Sequence, residues 1–128
     1  REALTLHASA ITIPDTGDWA LDLVELVQNL AKFLADPVEL AIVRSMLNPD
    51  AGEFSHLISI YWTPLMERQA APIRKAQVRG EVCAALDARM VISMIVSPLL
   101  MHALVKGAPI PTEFQQQLID MITRMARP

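Results

Sequence analysis

The sequence predicts an all-α domain of about six helices, and three features carry that prediction. No segment alternates apolar and polar residues with the period of two that a half-buried strand needs. Apolar side chains recur instead at helical spacing, and Gly17, Gly52, Gly80 and Gly107 fall where that spacing breaks, as residues that cap or join helices do. Residues 90–105, flanked by Arg89 and Lys106, carry no charge and are apolar on every side of a helical wheel. A helix of that kind packs on its own core with one side and needs cover on the other. In a chain this small the simplest second cover is another copy of itself, so self-association is expected.

Each element has a local cause. Residues 1–10 are expected to be the end of a helix arriving from upstream, and 11–14, β-branched and ending in proline, to be extended. Asp18 is suited to cap a helix over 19–35, in which Asp22, Glu25, Asn29 and Lys32 form one polar stripe and the other faces are buried. Asp36-Pro37 then supplies a cap followed by a first-turn proline, with Glu39 placed to complete a capping box, and starts a short helix to 48. Over 53–79 an apolar pattern that includes Phe54, Leu57, Tyr61, Leu65 and Ile73 is interrupted by Pro64 and Pro72, which predicts one kinked helix or collinear pieces. Asp87 caps the uncharged helix, Lys106 and Gly107 end it, and Pro111 opens a last helix carrying Phe114, Leu118, Met121, Ile122 and Met125.

Bulk properties bound the function. A 128-residue chain that is 52% hydrophobic should form one compact domain with a real core. A net charge of −3 is poorly suited to phosphate binding, so any DNA contact must come from outside this segment. The single cysteine, Cys83, cannot form an intrachain disulfide and no charged-then-apolar leader opens the chain, so a cytoplasmic location is expected. The chain opens at Arg1, which predicts a fragment or processed chain with further sequence upstream. The uncharged run falls short of the roughly 20 residues a bilayer requires, and Ser93, Ser97, Pro98 and His102 dilute it further, so a buried helix is expected and no membrane contact.

Catalytic signatures are missing. There is no nucleophile elbow, phosphate loop, dinucleotide fingerprint, cysteine pair or HExxH motif, so no enzyme activity and no cofactor are expected. A helical enzyme would need convergent groups such as His56 with Glu53 and Glu67. His7, His56 and His102 lie on separate blocks, which argues against a metal site. His102 lies within the uncharged helix, where an imidazole needs a hydrogen-bond partner. Asp22 with Glu25, and Arg68, Lys75 and Arg79, are expected to be solvated helix faces. Met46, Met66, Met90, Met94 and Met101 with Trp19 and Trp62 make a core richer in thioether and indole than in phenylalanine. Ordinary packing accounts for such a set. So does a cavity for an apolar or aromatic small molecule, neutral or weakly charged and oriented by His102, Ser97 or Tyr61.

Three stretches in order resemble the C-terminal regulatory domain of tetracycline-repressor (TetR) type transcriptional regulators. They are Ile13-Pro14-Asp15-Thr16-Gly17-Asp18 leading to Leu34-Ala35-Asp36-Pro37, then Tyr61-Trp62-Thr63-Pro64 followed by Arg79-Gly80-Glu81-Val82, then Ser97-Pro98-Leu99-Leu100 followed by Val105-Lys106-Gly107-Ala108-Pro109-Ile110. The resemblance implies that residues 11–128 bind a small effector among central helices and that the last two helices form a homodimeric four-helix bundle. It also implies that 1–10 are the remnant of a helix connecting to a DNA-binding helix-turn-helix domain, which this chain does not contain. Effector contacts are then expected from Trp19, Val27, Trp62, Met66, Met94 and His102. Dimer contacts are expected from Met90, Ile95, Leu99, Leu118, Met121, Ile122 and Met125. A dimeric helical scaffold without a ligand is the alternative.

Overall fold

The computed structural model describes residues 11–47, 56 and 58–128, and every regular element among them is helical. In chain order these are α1 (Trp19–Ala35), α2 (Pro37–Met46), a π-helical turn (Ile58–Trp62), α3 (Thr63–Gln69), α4 (Ala71–Arg79), α5 (Ala88–Lys106) and α6 (Thr112–Met125). The expected connecting helix at 1–10 and the positions Asn48, Glu53, Phe54 and Leu57 lie outside the described residues.

The local start signals act as the chain predicts, with one exception. Asp18 accepts the Leu21 backbone N–H at 3.2 Å, Asp36 that of Val38 at 2.8 Å and Asp87 that of Arg89 at 2.8 Å. The exception is Glu39. Instead of reaching back to close a capping box, its side chain turns inward and is buried, where it accepts the Tyr61 hydroxyl. The 53–79 pattern, where described, resolves into the π turn, α3 and α4, with a proline near the start of each α-helical piece and a break at Ala70. Pro64 explains the widened turn before it: it has no N–H for the Ile60 carbonyl, so the regular i→i−4 ladder cannot run through this point.

α1 and α5 are the two hubs of the bundle. α1 packs on α2, α4, α5 and α6, and α5 packs on α1, α3, α4 and α6. α5 is apolar and long enough to cross a bilayer by composition alone. Its inner face, Val91, Ile92, Ile95, Val96, Leu99 and Ala103, is buried against the surrounding helices, as in a core helix. Its outer face is not covered within the chain. Met90, Met94, Met101 and Val105 are 62%, 47%, 60% and 70% exposed, and with Ser97 they form a stripe at spacings of three and four residues.

A polar network fastens α4 to the start of α1. Gly80 ends α4 with φ 81°, a left-handed cap that bears no side chain without strain, and so turns Glu81 back toward α1. Glu81 accepts the Trp19 backbone N–H at 2.9 Å and pairs with Arg79; that N–H first, then Arg79, hold its carboxyl below the ordinary value. The Arg79 guanidinium lies 3.8 Å from Asp22, whose other oxygen accepts the Thr16 N–H at 2.9 Å and hydroxyl at 2.7 Å. Asp22 therefore departs from the expected solvated stripe: it is 1% exposed, because the 13–18 segment and Arg79 close over it. Arg79 is exposed, as expected of a solvated face, and also takes part in this network. Asp22→Ala removes three polar contacts and should lower stability by about 2 kcal/mol, the usual worth of hydrogen bonds to a charged acceptor. An unchanged urea midpoint would mean the network does not hold these elements together.

Candidate functional site

Helix α2 carries Glu39, Val43 and Met46 along one side at spacings of four and three residues, and Val43 and Met46, with Leu47 just past its end, reach a shallow apolar recess. Ile58 and Trp62 from the π turn and Leu100 from α5 complete it, enclosing about 160 Å³. The widened turn places Trp62 at this recess, while Tyr61 is buried in the core, 3% exposed, and donates its hydroxyl to Glu39. Burial pushes the Glu39 carboxyl up to about 7, since the charged form loses its hydration there. One turn beyond Trp62 comes Met66, and one turn further Gln69, so the three lie along one side of the helix. Met66 is 8% exposed and Gln69 1%. Neither the oxygen nor the nitrogen of the Gln69 carboxamide has a hydrogen-bond partner.

A second depression lies between the C-terminal half of α5 and the start of α6. It encloses about 530 Å³ and is walled by Pro98, Met101, His102, Val105 and Phe114, with Lys106 and Glu113 at its edges. The His102 ring leans on Phe114 with centroids 4.8 Å apart and planes tilted by 57°. The partner expected for its imidazole is absent for Nδ1, which is buried and unbonded. This cleft continues the exposed outer stripe of α5, since Met101 and Val105 belong to both.

The residues expected to touch an effector are spread over four places. Trp62 lines the recess, Met66 follows it one helical turn later and is buried, and His102 lines the α5/α6 cleft. Trp19 and Val27 are buried in α1, and Met94 is on the exposed stripe of α5. The residues expected at a dimer interface divide similarly. Met90, Met121 and Met125 are 62%, 58% and 38% exposed, whereas Ile95, Leu99, Leu118 and Ile122 face the core of their own chain.

Glu39 and Gln69 are the buried polar groups of the region that spacing alone did not single out. Glu39 also fits a capping box, and that local explanation hides the long-range one. Gln69 had a signal: it falls on the Tyr61, Leu65 apolar repeat at i+8, where a carboxamide is out of place. Among the described residues no three histidine, cysteine, aspartate or glutamate side chains gather as a metal set would.

The profile described as "Tetracyclin repressor-like, C-terminal domain" matches residues 13–122. Over 120 residues the chain is 27% identical to the HTH-type transcriptional regulator AqdR of Rhodococcus erythropolis, covering 93% of this chain and 58% of that protein. The chain thus spans a little over half the length of that curated relative. No solved structure matches it.

Proposed function

Since the chain belongs to the family of tetracyclin repressor-like C-terminal domains, we propose that it is the effector-binding and dimerisation domain of a bacterial transcriptional regulator, acting in the cytoplasm and without catalytic activity of its own. The observation that carries this reading is the two-sided use of α5. Leu100 forms a wall of the recess at Trp62, and the next residue, Met101, belongs to the uncovered methionine stripe. One helix therefore joins a place where an apolar molecule can lodge to a surface suited to a second copy.

The mechanism is a population shift. An apolar or aromatic effector that favours one arrangement of α2, α3 and α5 changes how the two copies sit against each other, by as much as its affinity differs between arrangements. The Arg79, Asp22 and Thr16 network ties α4 and α1, both of which pack on α5, to the 13–18 segment. Through it a change at α4 reaches the part of the chain that leads toward its N-terminal side, where a DNA-binding domain would be attached in the full regulator. DNA contact would belong to that domain.

Native mass spectrometry of the purified chain tests both halves. The expected spectrum is a dimer, with added small-molecule mass when an apolar effector is retained. A monomer throughout would remove the methionine stripe as an interface. For the effector site, Trp62→Ala should weaken binding of an apolar ligand about tenfold, on the order of the 1–3 kcal/mol that one good apolar contact supplies, and leave subunit number unchanged. Equal affinity would move the effector elsewhere. A dimer that binds no member of a broad panel of apolar compounds would favour a ligand-free scaffold, which the small size of the recess also suits.

A further inference from the structure

Gln69 is the buried side chain whose polar atoms the fold leaves unused. Its carboxamide offers two N–H donors and a carbonyl oxygen with two lone pairs, it is 1% exposed, and neither polar atom is bonded. Buried polar groups without partners are rare in folded proteins, because the hydration lost on folding is not replaced. A single trapped water satisfies only part of such a group, whereas a second planar amide matches a donor and an acceptor at once.

The surroundings indicate what kind of molecule would do so. Trp62, Met66 and Gln69 lie at i, i+4 and i+7 on one side of α3, and α3 packs on α5. The recess at Trp62 holds about 160 Å³, less than the roughly 300 Å³ at which small-molecule sites begin. Met66 lies one turn from Trp62 and one turn from Gln69, and an unbranched thioether changes rotamer readily. Its movement would extend the recess toward the carboxamide. The described buried side chains include no lysine or arginine to neutralise an anion. Asp22 is engaged by Thr16 and Arg79, and Glu39 by Tyr61.

We propose that Gln69 is the polar anchor of the effector site and that the effector is a neutral molecule with an apolar body and a carboxamide or lactam, pairing a donor and an acceptor with Gln69. This rests on the effector-binding reading above and assigns the chemistry of that same site. Specificity follows from the cost of leaving the Gln69 amide unmatched: an isosteric ligand lacking the N–H binds the same apolar walls without satisfying the carboxamide.

The test uses three compounds sharing one apolar body: 3-phenylpropanamide, 4-phenylbutan-2-one and propylbenzene. Each is titrated into wild type, Gln69→Leu and Gln69→Met, with tryptophan fluorescence as the readout and thermal melts of the ligand-free proteins alongside. In wild type the amide should bind at least tenfold more tightly than the ketone. In both variants that preference should vanish while the ketone and hydrocarbon still bind. At least one ligand-free variant should melt no lower than wild type, since an unpaired amide has been replaced by an apolar side chain of similar size. Equal binding of amide and ketone to wild type, or a preference that survives in both variants, would overturn the assignment while leaving the effector site standing. A drop of several degrees in both melts would show that the carboxamide is already paired within the protein, and would also overturn it. Failure of all three compounds to bind wild type would count against the effector-binding reading itself, and the anchor would fall with it.

Discussion

Met121→Glu is expected to turn a dimer at micromolar concentration into a monomer. Met121 is 58% exposed on α6, one turn before Met125 at 38%, and the outer stripe of α5 is exposed and uncharged from Met90 to Val105. Closed against a second copy around a two-fold axis, that surface would bury each Met121 once per protomer, so one substitution places two carboxylates in the interface. Burying an unpaired charge costs about 3–5 kcal/mol, and even one such penalty raises Kd by about a hundredfold to several thousandfold. Sedimentation equilibrium reads this directly. Gln116→Glu, at an exposed site on a different side of α6, should leave the association constant unchanged and separates a local effect from a change in net charge. If Met121→Glu stayed dimeric with the wild-type constant, α6 would not form the interface.

The protein should become more stable as the pH falls from 8 to about 5, and Glu39→Gln should remove most of that gain. The Glu39 carboxyl is raised from 4.5 to about 7 by burial. Above pH 7 it is ionised in both folded and unfolded chains, and the folded state carries the whole cost of the buried charge. Between about 7 and 4.5 the folded chain holds a proton that the unfolded chain has released, so acidification favours folding. Below 4.5 both forms are protonated and this group adds nothing further. At 1.36 kcal/mol per pKa unit the window is worth about 3 kcal/mol. Glu39→Gln keeps the shape and abolishes the charge, so its stability should be flat across this range and should exceed that of wild type at pH 8. Urea midpoints at pH 5 and pH 8, at one fixed protomer concentration because association itself stabilises, give the comparison. A wild-type slope that persisted in Glu39→Gln would belong to another group.

How far each feature could be read depends on the range of its cause. Helix starts were legible because a cap is a contact between neighbours: Asp18, Asp36 and Asp87 each reach a backbone N–H two or three residues on. The breaks in the 53–79 pattern were legible for the same reason, since a proline acts on its own turn. The outcome of Pro64 was less so, because the absence of a regular ladder bond permits a kink, a break or the π turn that is found. Interface and effector residues were less legible, because hydrophobicity cannot separate Met94, 47% exposed, from Ile95, 0% exposed, on a helix that is apolar all round.

Two acidic residues show the limit most clearly. Asp22 sits on a helical stripe with Glu25 and Asn29, a pattern that reads as solvated, yet Thr16 and Arg79 cover it. Glu39 has the position of a capping-box residue, yet Tyr61, 22 residues away in sequence, captures it. In both cases a distant partner prevailed over the local pattern, because packing brings Thr16 and Arg79 onto Asp22 and carries Glu39 into the core beside Tyr61, where burial disfavours its charged form.

Composition, helical periodicity and short-range capping thus settle that this chain is a bundle of helices, where most of those helices start and stop, and that its penultimate helix is apolar on every side. The packing of α1 and α5 settles which side of each helix is inside, where the recess and the cleft open, and which polar groups are left without partners. The division has a physical origin. Local order is set by interactions within one or two turns, which are written in adjacent residues, whereas burial is a property of surfaces brought together from across the whole chain.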